Sequence, residues 1–473
     1  MRLLHIATPL LLASLFWVGC QNQTQPTQEQ ESQAAENQST DTYGASPIWA
    51  QNANIYEVNI RQYSEEGTFK AFGTNLERLD AMGVDILWFM PIFPISEANR
   101  KGSLGSYYAV SSFRQVNPEF GTEEEFQAVI DKAHELGMKV ILDWVPNHTG
   151  WDHEWITSHP EYYTQDANGN IVDPINPETG ESWGWTDVAD LNYDNGEMRQ
   201  NMIDDMHYWI SEAGVDGFRM DVAHGVPVDF WEDCVAQLRE ADSDVFMLAE
   251  AEIDELLNKE LFAMDYGWTF HHLLNHVAQG EANADSLFAW YEADKQDVQH
   301  GYHMHFTTNH DENSWNGTIE ERMGPAGDAM TVIAFTFDGM PLIYSGQEAG
   351  MNKRLEFFEK DLIDWGDYEK EDFFTTLLTL KHENEALWNG EMGAPVERLD
   401  PKNDNVMAYS REKGYDQVVV VVNLSGEPQE VDMISSTVSG EYRNVFTPSE
   451  PLAAKEMLNV SLEPWGYRVY ERH

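Results

Sequence analysis

Three acidic residues, far apart in the chain, each close a short apolar run: Asp221 after GFRM, Glu250 after VFMLA and Asp311 after HFTTNH. A fourth run, MKVILDWV, carries Asp143 and leads into Asn147 and His148. Carboxylates at the ends of buried strands can cut a glycosidic bond as a pair: one protonates the leaving oxygen while the other attacks or stabilises the sugar cation. Side chains alternate along a strand, so Arg219 and Asp221 share a face while Phe218 and Met220 take the other. On that face Arg219 should keep Asp221 ionised, and the anions Asp221 and Asp311 should raise the pKa of Glu250, leaving it an acid. His148 and His310 would stand beside the same site. Each residue alone has a plainer reading as a helix cap or a core histidine, and His271, His272 and His276 are read that way. A metal-dependent hydrolase is the alternative that uses the same residue types. The short histidine spacing HMH at 303–305 lacks a carboxylate partner at helical spacing.

Strands alternating with helices must bring these residues together. IYEVNI (55–60) reads as a strand, TNLERLDAMG (74–83) as a helix with Thr74 and Glu77 spaced as a capping box and Gly83 ending it, and VDILWFM (84–90) as a strand buried on both faces. TEEEFQAVIDKAHELG (122–137) repeats the pattern, and the helix at 197–214 puts Met198, Met202, Met206, Trp209 and Ala213 on one stripe. About eight such units predict a TIM (β/α)8 barrel over 48–385, whose site lies at the C-terminal ends of the strands. A doubly wound open sheet is the alternative, but no Gly-x-Gly-x-x-Gly follows the first strand. Residues 149–190, rich in aromatics and turns, read as a small inserted domain after the third strand. From 386 to 473 the pattern changes to VMAYSRE, QVVVVVNLS and YRVYE, which predict a C-terminal antiparallel β-sandwich.

The 473 residues carry 28 basic and 82 acidic side chains, a formal net charge of −54, which argues against nucleic-acid binding. Arg2, the apolar run 3–18 and Gly19-Cys20 predict a signal peptide over 1–19. Its end resembles a bacterial lipobox, which makes Cys20 a lipidated N-terminus and the chain an exported, membrane-anchored lipoprotein; the alternative is a plain export signal. Residues 20–47 contain no Lys or Arg and little that is apolar, and read as a flexible tether. Cys234, in FWEDCVAQL, reads as a buried inert thiol.

In order along the chain, DWVPNH (143–148), GFRMDVAH (217–224), FMLAEAE around Glu250 and FTTNHD (306–311) resemble the four signature regions of glycoside hydrolase family 13, the α-amylase family. ADLN (189–192) and GMPLIYSGQE (339–348) resemble two further motifs of that family. The resemblance implies retaining cleavage of α-1,4 bonds in starch-like α-glucans, with Asp221 as nucleophile, Glu250 as general acid/base and Asp311 as the third acid gripping the sugar. It assigns Tyr108, His148, Arg219 and His310 to the sugar subsite, and His224 to the adjacent leaving-group subsite. Trp183, Trp185 and Trp315 are further candidate platforms, each with a core role as its alternative. The chemistry requires no cofactor. The calcium ligands of many relatives, an Asn, an Asp and a His, fall on Asn147, Asp190 and Gly225. The same motifs would serve an α-glucosidase, a cyclomaltodextrinase or a glucanotransferase, and a non-catalytic glucan-binding lipoprotein would be expected to have lost one of the three acids.

Overall fold

The computed structural model describes residues 42–472 except 44, 177 and 178. The signal peptide, Cys20 and the tether up to 41 lie outside the described residues. The expected tether ends earlier than 47: Thr42–Tyr43 pairs with Ser46–Pro47, and Ser46 Oγ lies 3.0 Å from Tyr302 Oη.

Eight short parallel strands form a closed barrel: β1 (Ile55–Val58), β2 (Ile86–Phe89), β3 (Lys139–Trp144), β4 (Gly217–Met220), β5 (Phe246–Ala249), β6 (Met264–Tyr266), β7 (Tyr302–His305) and β8 (Met340–Tyr344), with β8 closing on β1. Two apolar layers follow from the alternation of side chains. Ile55, Ile86, Trp88, Ile141, Leu248, Met304 and Leu342 belong to one core, and Tyr56, Leu87, Phe89, Val140, Leu142, Phe218 and Met247 to another with the surrounding helices. The Met198, Met202, Met206, Trp209 and Ala213 stripe is buried in the second.

Local signals account for several helix ends. Thr122 and Glu125 form the expected capping box, and Gly83 ends its helix at φ 96°. The capping box expected at Thr74 does not form. Asn75 is the N-cap, and the Thr74 hydroxyl donates to the Ala71 carbonyl at the end of the preceding helix. Two helices meet there without a linker, so the residue that looks like a start serves the previous end.

After β3, His148–Gly150 pairs antiparallel with Val188–Asp190, tying off the inserted stretch at its base. The C-terminal part is antiparallel: β9 (Glu397–Arg398), β10 (Val406–Lys413), β11 (Asp416–Asn423), β12 (Gln429–Asn444), β13 (Leu452–Leu462) and β14 (Tyr467–Arg472), in the order β9-β10-β11-β14-β12-β13. The register of β12 on β13 shifts between Ile434 and Ser439, and the strands enclose a separate core that includes Val406, Val419, Val421, Val431 and Leu462. Buried Arg411 docks this part on the barrel by donating to the carbonyls of Ala394 and Phe337, both at 2.6 Å.

Candidate active site

Strand pairing sets the floor of the site. Asp143 on β3 is in register with Arg219 on β4, and Glu57 on β1 with Trp88 on β2. Arg219, fully buried, reaches three carboxylates: Nη1 lies 2.9 Å from Asp143 Oδ1 and 2.9 Å from Asp221 Oδ1, and Nη2 lies 2.8 Å from Glu250 Oε1. Its Nε donates to Tyr266 Oη at 3.1 Å. The other Glu250 oxygen accepts the Val222 N–H at 2.7 Å. Val222, directly after Asp221, lies in the left-handed region at φ 47°, a costly conformation for a β-branched residue. This turn aims its N–H at Glu250.

A second chain of bonds runs across the floor. Tyr108 Oη donates to Asp143 Oδ2 at 3.0 Å and lies 2.8 Å from His310 Nε2. The Tyr108 and His310 rings stack at 5.5 Å and 20°. His310 Nδ1 bonds to Glu57 Oε1, and Asp311, 34% exposed at the rim, brings Oδ2 within 3.4 Å of Nε2. Above this floor is a cleft of about 800 Å3. Tyr108, His148, Asp221, His224, Glu250, His310 and Asp311 line it, and Arg219 lies buried beneath. The eight residues singled out from sequence are thus brought together around one cleft. Trp183, Trp185 and Trp315 line it too; Trp183 and Trp315 are 47% and 52% exposed, which sets aside a core role for these two.

The charge pattern differs from the expectation for Asp221. Its carboxyl is pushed well above the usual carboxylate range, by burial first and by the Glu250 charge second, against the opposing pull of Arg219. The ionising effect of Arg219 is present, but burial and the Glu250 charge outweigh it. Burial likewise raises Asp143 to about 6 and lowers His148 to about 4, so His148 is a neutral ring at neutral pH.

Several residues of the site escaped sequence reasoning. Glu57 left a signal, a lone acid inside the apolar run IYEV. Trp268, Phe357 and Phe358 line the cleft without a motif to mark them. Lys101, also in the cleft wall, pairs with Asp187 at 2.8 Å and so ties the segment after β2 to the inserted stretch.

At the family's calcium position the side-chain oxygens of Asn147 and Asp190 are already engaged, while a calcium ion takes six to eight oxygens, backbone carbonyls among them. Gly225 offers no side chain, and an added Cβ there would stand 2.5 Å from Asn147 Oδ1, so that oxygen already packs on the glycine. The Asp190 carboxyl is hydrogen-bonded by Thr164, and burial raises it to about 6. His224 lines the cleft instead.

Comparison with known proteins follows the same lines. The family described as alpha amylase, catalytic domain, matches residues 32–415, and that described as maltogenic amylase, C-terminal domain, matches 396–469. Alpha-amylase MalA of Haloarcula japonica is 29% identical over 429 residues, which are 88% of this chain and 62% of MalA's length. An alpha-1,4-glucan:maltose-1-phosphate maltosyltransferase of Corynebacterium pseudotuberculosis is 26% identical over 86% of this chain and 63% of its own length. A crystal structure of an alpha-amylase from Lactobacillus plantarum superposes with a TM-score of 0.77 at 30% identity, over 89% of this chain and 99% of that one.

Proposed function

We propose, from the premise that this chain belongs to the α-amylase family of glycoside hydrolases, that it cleaves internal α-1,4 bonds of starch-like glucans or maltodextrins with retention. The observation that carries the reading is the pairing of Asp221 and Glu250 on the two arms of one buried guanidinium, at 2.9 and 2.8 Å, with Asp311 at the rim of the same cleft.

In this reading Asp221 attacks the anomeric carbon, forming a glycosyl ester, while Glu250 gives its proton to the departing glycosidic oxygen. Water then breaks the ester, losing its proton to Glu250. Attack requires Asp221 ionised, whereas burial favours its protonated form. Sugar binding must therefore favour the ionised form of Asp221. Once Glu250 turns toward the glycosidic oxygen, Arg219 is shared by two acids in place of three, which favours the ionised nucleophile. Asp311 and His310 hold the sugar hydroxyls, Tyr108 stacks on the ring, and His148 and His224 contact the ring and its leaving group.

The decisive experiment is a product time course on amylose, maltotriose and a cyclodextrin. Mixed short oligosaccharides from amylose support internal cleavage, whereas glucose alone from chain ends would overturn it. The maltosyltransferase among the relatives motivates one further arm: products longer than the substrate would mean that a sugar hydroxyl replaces water. Glu250→Gln should lower turnover at least ~10²-fold. Lipidation at Cys20 with display on a membrane completes the proposal; Cys20→Ala should release the enzyme into the soluble fraction.

A further inference from the structure

We propose that Glu57, on the first barrel strand, is a positioning residue that keeps His310 as a doubly protonated imidazolium with Nε2–H at the floor of the cleft. The inference rests on the α-glucan reading for its consequence, but not for its geometry.

The argument is a count of protons. Tyr108 has one hydroxyl proton. Asp143 Oδ2, 3.0 Å away, is an acceptor once ionised, and it also accepts the Trp88 indole N–H at 3.1 Å. The Tyr108 proton is therefore spent on Asp143. Toward His310, 2.8 Å away, the Tyr108 oxygen can only accept, so Nε2 must carry a hydrogen. On the far side of the ring, Nδ1 faces Glu57 Oε1 at 2.5 Å. Burial raises the Glu57 carboxyl while the His310 contact lowers it; in its ionised form it accepts, and Nδ1 then carries a hydrogen as well. Two N–H groups on one imidazole make a cation.

Glu57 is fully buried in a strand that otherwise reads Ile, Tyr, Val, and among the described residues its Oε2 has no hydrogen-bond partner. A buried carboxylate left half satisfied is costly unless its charge is used. The charged and titratable groups around the pair come from several elements: Tyr108 after β2, Asp143 on β3, Arg219 on β4, Tyr266 on β6, Asp311 after β7 and Tyr344 on β8. Burial and Arg219 oppose charge on His310, but Asp311 and Glu57 outweigh them and raise it to about 9. The sign follows: the charge is complete at neutral pH and is lost as pH rises through about 9. Between the two acids Glu57 is the fixed one, since Asp311 is part-exposed and must turn to the sugar.

Glu57→Gln keeps the shape and one oxygen toward Nδ1 but removes the charge. Nitrogen NMR of histidine-labelled protein, with the His310 signals identified by their absence in His310→Gln, reads the two N–H groups directly. In the unmodified protein both should persist at about pH 8, and in Glu57→Gln the titration should fall by at least about one pH unit. The alkaline limb of kcat/KM on amylose should move the same way, giving roughly a twofold loss at about pH 8, about fivefold at about pH 9 and almost none at about pH 6. A residue that merely fills space would slow the enzyme evenly across pH. A neutral His310 at about pH 8 in the unmodified protein, or identical titrations in both proteins, overturns the proposal. If Glu57→Gln does not fold, the spectrum of the unmodified protein decides alone, by the same two outcomes. If no α-glucan is cleaved, the functional reading fails while the histidine titration still decides on Glu57.

Discussion

Arg219→Met tests the idea that one buried cation holds the whole site together. Methionine keeps the apolar stem but removes the charge that faces Asp143, Asp221 and Glu250 at 2.8–2.9 Å. Losing one partner of a buried ion pair costs about 3–5 kcal/mol, because the remaining charge is left desolvated. Here several acids are stranded, but they can escape by taking protons. Asp143 already sits at about 6 with Arg219 present, and Asp221 well above the carboxylate range; without Arg219 both must rise further. A carboxyl raised in the folded state is stabilising while protonated, and that stability is lost as pH climbs through its folded pKa. The variant should thus be weakest at about pH 8, with a melting temperature lower by about 3–6 °C, and should recover more than half of that loss by about pH 5. Activity should fall by at least ~10²-fold, the scale for removing one preorganised electrostatic group. Scanning calorimetry at both pH values is the assay. An equal loss at both would mean that packing, not charge, is what Arg219 supplies; no loss at about pH 8 would refute the reasoning outright.

The same structure supports two further expectations. Lys381 is fully buried, donates to the Leu387 carbonyl and Asn389 Oδ1, and is lowered by burial to about 7. A base depressed in the folded state loses stability as pH falls through that value, so the unmodified protein should gain urea resistance from about pH 7 to about pH 9, and Lys381→Met should flatten that rise. Trp183, half exposed over the cleft and stacked on Trp185 at 5.8 Å, is suited to a sugar face; Trp183→Ala should raise KM for long maltodextrins about 2- to 10-fold with little change in kcat, and a fall in kcat alone would argue against a platform.

The parts of the fold that could be read in advance are those in which local pattern and tertiary role agree. VDILWFM and VFMLA are apolar throughout because parallel barrel strands are buried on both faces, and Thr122 with Glu125 caps a helix that starts on open chain. Where two local demands compete, the pattern misleads: Thr74 serves the helix before it. Strand β6, Met264–Tyr266, is only three residues long, too short for any period to show. The site divides in the same way. Asp221, Glu250 and Asp311 each close an apolar run and carry a motif, so they stand out. Glu57 sits inside a run, where a lone acid looks like a lapse in pattern. Phe357, Phe358 and Trp268 belong to the cleft only through folding.

The charge assignment shows most sharply what a linear reading omits. From sequence, Arg219 belongs to Asp221 because they share a strand face, and that pairing would separate nucleophile from acid. In three dimensions the same guanidinium is equally close to Glu250 and to Asp143, so proximity to a cation no longer distinguishes the two. What does distinguish them is burial and a single backbone N–H. Asp221 is the more enclosed, whereas Glu250 is held by Val222, a valine forced into φ 47°. A left-handed valine costs on the order of 1–3 kcal/mol, a cost the turn carries while delivering a neutral donor that holds Glu250 without adding charge. The asymmetry between the two carboxyls therefore comes from burial and backbone geometry, which no count of charged side chains along the chain contains.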